Sequence, residues 1–131
     1  MIVIVDTPVW SELLRRRSPN LEVKVRMAEI LEKEAVIGLG PIKQELLSGI
    51  RDELTFQKLV RVLAEFAQES IQDADYVVAA RYSNTCQAQG VQGSNTDFLI
   101  CAVSWRIGAS IWTFDKDFSL YKEHLPIQLF E

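Results

Sequence analysis

Residues Ile2, Val3, Ile4 and Val5 are all apolar and β-branched, with no polar residue interleaved. A strand with one wet face alternates polar and apolar side chains, whereas a run without alternation has to be covered on both faces, as in the interior of a parallel sheet. The run ends at Asp6, and Thr7 followed by Pro8 reads as a helix start, with Thr7 as the N-cap and Pro8 at the first helical position. The chain therefore passes from a central strand straight into a helix. Whatever it folds into must supply layers above and below that strand.

The rest of the sequence offers them. Leu21, Val25, Ala28 and Leu31 fall near a 3.6-residue period and predict a helix from about Leu21 to Lys33, followed by a strand at about Ala35 to Leu39. Gly40 and Pro41 open another helix, and Phe56, Leu59, Val60 and Leu63 continue the helical spacing to about Ala67, with Gly49 marking a break. After a short segment at Ser70 to Gln72, Asp73 is read as the cap of a helix running to about Gln89, with Tyr76, Val77, Ala80 and Cys86 on its apolar side. Gly90 to Ser94 is a loop. From about Asn95 a helix runs through Asp97-Phe-Leu-Ile-Cys-Ala-Val-Ser-Trp105, apolar nearly all round and hence buried, until Gly108 stops it. Strands at Ala109 to Thr113 and Ile127 to Phe130 flank a polar segment with a helical turn. Strands alternating with helices imply an α/β fold, a three-layer α/β/α sandwich around a central, mostly parallel sheet.

Size and composition narrow the function classes. A chain of 131 residues with 48% hydrophobic content suits one domain over residues 1–131. No apolar run approaches the ~20 residues of a bilayer-spanning helix, and no positive region precedes the first strand, so the expectation is a cytoplasmic protein with no membrane role. Cys86 and Cys101 are too far apart for a CxxC unit and read as small apolar residues of helices. His124 is the sole histidine, which excludes multi-histidine zinc sites. A net charge of −4 gives no overall nucleic-acid footprint, although Arg15, Arg16 and Arg17, with Lys24 and Arg26, form a basic stretch suited to RNA backbone contacts.

The acids carry the chemical information. Asp6 ends the first strand, and Asp115 and Asp117 follow Ile111-Trp-Thr-Phe114, so both strand ends should open onto one crevice at the carboxyl edge of the sheet. Asp97 stands in the first turn of the buried helix, where the helix dipole favours a negative charge by ~0.3 to 1 kcal/mol. Glu45 adjoins Leu46 and Leu47. Each taken singly fits a capping or solvated role. Gathered together, they demand a compensating cation, because burying like charges close to one another is costly. An all-oxygen ligand set selects a hard ion such as Mg²⁺ or Mn²⁺.

Val5-Asp6-Thr7 with Trp10, Glu45-Leu-Leu-Ser-Gly49, Asp97-Phe-Leu-Ile-Cys-Ala102 and Thr113-Phe-Asp115-Lys-Asp117-Phe118 occur in an order and spacing that resembles the PIN-domain family and, within it, the VapC-type toxins of bacterial toxin–antitoxin pairs. The resemblance spans essentially the whole chain. It implies a Mg²⁺-dependent endoribonuclease leaving 5′-phosphate and 3′-hydroxyl ends. Asp6, Glu45, Asp97 and Asp115 would be its catalytic, metal-binding acids, Asp117 a further candidate ligand, and Thr7 and Thr113 supporting residues. It also implies a homodimer and a cognate VapB-type antitoxin. Cys101 replaces the small apolar residue usual in that family. Two other readings are a PIN module that binds RNA or a partner without cleaving, and a phosphatase using a phosphoaspartate at the Asp-x-Asp string.

Overall fold

The computed structural model describes residues 1–131. Strand β1 (Ile2–Val5) leads into α1 (Thr7–Leu14), and α2 (Leu21–Lys33), β2 (Ala35–Leu39), α3 (Gly40–Leu47) and α4 (Glu53–Ala64) follow. Then come β3 (Ala67–Glu69), α5 (Asp73–Ala88), α6 (Asn95–Ile107), β4 (Ala109–Trp112), α7 (Asp117–Lys122) and β5 (Gln128–Leu129). The sheet runs β3-β2-β1-β4-β5 with every pairing parallel. The expected α/β sandwich is thus the observed one. Val3, Ile4 and Val5 are 0%, 0% and 1% exposed, as a strand without alternation requires.

Connection order gives the sheet its functional edge. From β1 the chain builds outward through β2 to β3, then returns to the other side of β1 for β4 and β5. Strand order therefore reverses between β1 and β4, and a crevice opens beyond their carboxyl ends. The register aligns Val5 with Trp112, and the Asp6 amide donates to the Trp112 carbonyl at 2.9 Å. Asp6 and Thr113 consequently leave the sheet side by side.

Several local expectations need correction. Asp6, not Thr7, caps α1: its carboxylate accepts from the Thr7 amide, and Thr7 takes the first helical position. Gln72, not Asp73, caps α5, and Asp75 reaches back to the Gln72 amide in a capping box. Helix α4 stops at Ala64, and β3 follows where continued helix was expected. Ala67-Gln-Glu69 is a short, mostly exposed edge strand, so it carries no apolar run to announce it. On α2 the buried residues are Met27 and Ile30, leaving Leu21, Val25 and Leu31 in solvent. On α5, Asp75, Ala79 and Cys86 are buried, while Tyr76 and Val77 are exposed. Helix α6 buries six residues, but Trp105 stays exposed. Both cysteines are free and buried.

One polar cluster ties α5, α6 and β3 together. Arg106, in the last turn of α6, donates through Nε to Asp75 Oδ1 at 2.8 Å and through Nη2 to Asp75 Oδ2 at 3.0 Å. It also reaches Glu69 at 3.3 Å and the Ser70 carbonyl at 3.1 Å, joining α6 to the start of α5 and the end of β3. Burial raises the Asp75 pKa, but the Arg106 hydrogen bonds, the Gln72 amide and the Arg106 charge together bring it below its ordinary value. Because the folded pKa is lowered, this stabilisation is full above the unfolded pKa and is lost as pH falls through the folded one. Removing one partner of a buried pair strands the other charge. Arg106→Met is therefore expected to cost about 3 kcal/mol at pH 7. Thermal melts should show the gap to wild type narrowing as pH falls from neutral, because the stranded, buried Asp75 takes up its proton above the ordinary carboxylate value of about 4.

Candidate metal centre

Four elements deliver the acids to one crevice. Asp6 stands at the β1–α1 junction, 5% exposed. Thr113 donates its hydroxyl to Asp6 Oδ2 at 2.7 Å while the Thr7 amide donates to Oδ1 at 2.8 Å, so both carboxylate oxygens are held. The same Thr113 oxygen accepts the Asp115 amide at 3.0 Å, and Asp115 Oδ1 accepts the Asp117 amide at 2.9 Å. Thr113 thereby fixes Asp6 and shapes the turn that carries Asp115. The buried Thr7 hydroxyl oxygen has no hydrogen-bond partner.

Asp97 enters from α6, in the first turn, where Ser94 caps the helix by accepting the Asp97 amide at 3.0 Å. Its Oδ2 accepts the hydroxyl of Tyr121, a fully buried residue of α7, at 2.7 Å. Gly93 makes that approach possible, since a β-carbon there would come within 2.8 Å of Tyr121 Cζ and closer still to its oxygen. Glu45 lies on the solvent side of α3, above the buried Ile42 and Leu46.

The acids also bear on one another's ionisation. Burial raises the Asp6 pKa, the Thr113 and Thr7 hydrogen bonds oppose it, and the Asp97 and Asp115 charges add to it. For Asp97, burial again raises the value most, Tyr121 and Ser94 counteract, and Asp115 raises it further. Partial desolvation of Glu45, followed by the charges of Asp6 and Asp97, raises it as well. Of the residues expected at the site, Thr113 ties Asp6 to the turn that carries Asp115, the charges of Asp97 and Asp115 bear on Asp6, and Glu45 is exposed on α3 within reach of the Asp6 and Asp97 charges.

Other candidates sit apart. Asp117 is exposed at the start of α7 and acts on the cluster through its amide to Asp115 and its charge near Tyr121. Arg15, Arg16 and Arg17 follow the far end of α1, about 12 Å along the helix from Asp6. Arg16 is paired with Glu12 at 3.3 Å. Tyr121 and Gly93 escaped the sequence reading, although Phe118, Tyr121 and Leu125 recur at helical spacing and are all buried. No three of the acids converge tightly enough to form a closed cage as they stand. A donor set of separated carboxylate oxygens fits a small hard cation that keeps several waters, as Mg²⁺ does, and offers nothing to a soft metal.

The PIN-domain family model matches residues 3–123. The chain belongs to the PIN-domain family. Among PIN-domain relatives, Ribonuclease VapC11 of Mycobacterium tuberculosis is 31% identical over 121 residues, covering 91% of this chain and 90% of VapC11. The fold recurs in FitAcB from Neisseria gonorrhoeae, with a TM-score of 0.80 at 20% identity over 98% of this chain and 96% of that one. A toxin–antitoxin complex from Klebsiella pneumoniae gives 0.67 at 18% identity over 89% and 90%. At those identities the two structures speak for the shared PIN fold.

The raised carboxyls make a pH-dependent contribution to the stability of the metal-free PIN domain. A folded pKa above the unfolded one stabilises fully below the unfolded value and loses that contribution as pH rises through the folded value. At neutral pH the cluster therefore works against folding. Asp97→Asn keeps an acceptor for Tyr121 and removes one charge, so in EDTA at pH 7 its melting temperature should equal or exceed wild type by a few degrees. A markedly lower value would show that Asp97 is held by compensation absent from this cluster.

Proposed function

We propose that this PIN domain is a divalent-metal-dependent endoribonuclease of the VapC toxin kind, acting in the cytoplasm. The observation that supports the reading is that Asp6 and Thr113 leave adjacent strands at the switch point of the sheet and are hydrogen-bonded there, with Asp115 on the same threonine and the charges of Asp97 and Glu45 close by. The VapC ribonuclease relative, aligned over nine-tenths of the chain, supports it. Asp6 and Asp97 would be the primary holders of Mg²⁺, or of Mn²⁺ in its place, with Glu45 and Asp115 as further ligands or holders of coordinated water. When bound, such an ion neutralises charge on the phosphoryl oxygens and acidifies a water for in-line attack.

The chain's own residues do the positioning. Thr113 and the Thr7 amide fix the plane of the Asp6 carboxylate, leaving its remaining lone pairs toward the crevice. Tyr121 does the same for one oxygen of Asp97. Arg15, Arg16 and Arg17 supply positive charge for RNA phosphates outside the crevice, where the acids would otherwise repel the strand. A homodimer and a VapB-type antitoxin complete the proposal, the antitoxin placing a basic side chain against the acids and so competing with the cation. The phosphoaspartate reading is disfavoured because the Asp115-Lys-Asp117 string follows the late strand β4, whereas such enzymes carry it after their first strand.

Cleavage of RNA with Mg²⁺, with and without EDTA, tests the reading. Asp6→Asn and Asp97→Asn should each reduce cleavage to background while circular dichroism reports an intact fold; normal cleavage by purified Asp97→Asn would overturn the assignment of the site. Tyr121→Phe should weaken Mn²⁺ binding about tenfold by calorimetry, as loss of a group orienting a ligand does. Activity should also fall on acidification, because Asp6, Glu45 and Asp97 all bind protons above the usual carboxylate range. A rate that stays flat down to about pH 4 would contradict carboxylates as the ion's holders.

A further inference from the structure

Beside the acid cluster lies a cavity of about 200 Å³ with aromatic walls. Phe114 and Phe130 line it together with Ile111 and Leu129, and Thr113 and Asp115 belong both to this lining and to the acid site. Lys116 and Ser119 stand at its polar side. Phe114 is 46% exposed, an unusual state for a phenylalanine between two residues of a charged site. Its ring is backed by the buried Trp112, against which it packs edge-on at 6.2 Å and 88°. Trp112 also packs at 6.2 Å against Phe130, whose ring carries the Arg26 guanidinium at 4.6 Å.

Resting on the ribonuclease reading above, we propose that this cavity is a nucleobase subsite that seats one unstacked base of the RNA next to the bond being cut. The proposal joins three observations: an exposed aromatic face backed by Trp112, a cavity that shares Thr113 and Asp115 with the acid cluster, and a lysine in its lining for phosphate. Single-stranded nucleic acid is commonly bound on aromatic platforms beside basic side chains, with little sequence preference because every base presents a π-face. Ser119 and, on the rim, Glu131 would be hydrogen-bonding partners for the base edge. A base docked here would keep its strand from sliding past the acids. The phosphate beside it would then be the one presented to them.

Short single-stranded oligoribonucleotides carrying 2-aminopurine, whose fluorescence falls on stacking against an aromatic ring, test the subsite directly. In the Asp97→Asn background, which prevents cleavage, binding should quench the probe. Phe114→Ala in that background should abolish the quenching and weaken binding about tenfold, and Phe114→Trp should restore both. With Asp97 present, Phe114→Ala should raise KM by a similar factor with a smaller change in kcat, and circular dichroism should be unchanged. Equal quenching and affinity with alanine at position 114, or no quenching by any oligonucleotide, overturns the subsite. Failure of the wild-type protein to cleave RNA with Mg²⁺ instead overturns the ribonuclease reading, so the two failures are told apart.

Discussion

The hydrogen bond from the Asp6 amide to the Trp112 carbonyl, at 2.9 Å, closes the ladder between β1 and β4 at the point where strand order reverses. Beyond it the two chains must diverge, one into α1 and the other into the turn before α7. Asp6 and Thr113 are the first residues past that closure, and their side chains meet at 2.7 Å. The register is what makes them meet. A slip of one residue between β1 and β4 would turn the β4 side chains to the opposite faces and part the threonine from the aspartate. Packing of Val3, Ile4, Val5 and Ile111, each essentially unexposed, fixes that register and so, indirectly, the acid cluster.

Two aspartates, Asp75 buried and Asp97 half-buried, show how differently the fold treats a desolvated charge. Asp75 is given Arg106 in two-pronged contact and the Gln72 amide, and its pKa falls. Asp97 is given neutral donors and further acids, and its pKa rises. The first is a closed arrangement, complete within the protein, and serves to lock α5, α6 and β3. The second is left short of positive charge. Such a deficit costs folding free energy and would be relieved by the cation proposed for the site, so the fold's stability and its proposed chemistry pull against each other at Asp97.

Most of this was legible along the chain because the deciding signals are local. Ile2 to Val5 announced a central strand, and acids directly after two strands and within the first turn of an apolar helix announced the crevice. What escaped is what depends on distant partners. β3 exists because β2 offers it a parallel edge, and Ala67-Gln-Glu69 has no pattern of its own. Arg106 and Asp75 lie 31 residues apart, and nothing in either neighbourhood names the other. The helix faces of α2 and α5 were misassigned where apolar residues are so frequent that several faces satisfy the helical period. Tertiary packing chose Met27 and Ile30 over Val25 and Leu31.

Tyr121 belongs to this second group, and the geometry around it explains why a loop that looks featureless is constrained. Its phenol crosses from α7 to the first turn of α6, passing over the loop that connects α5 to α6. That loop must come close enough for Ser94 to cap α6 and yet leave room for the ring. Gly93 satisfies both demands, because any side chain there would occupy the space of the phenol. Ser94 and Tyr121 then act on Asp97 from opposite ends, one holding its backbone amide and the other its carboxylate. A carboxylate fixed at both ends loses little further freedom when it takes up a cation, which is the same economy that Thr7 and Thr113 provide for Asp6.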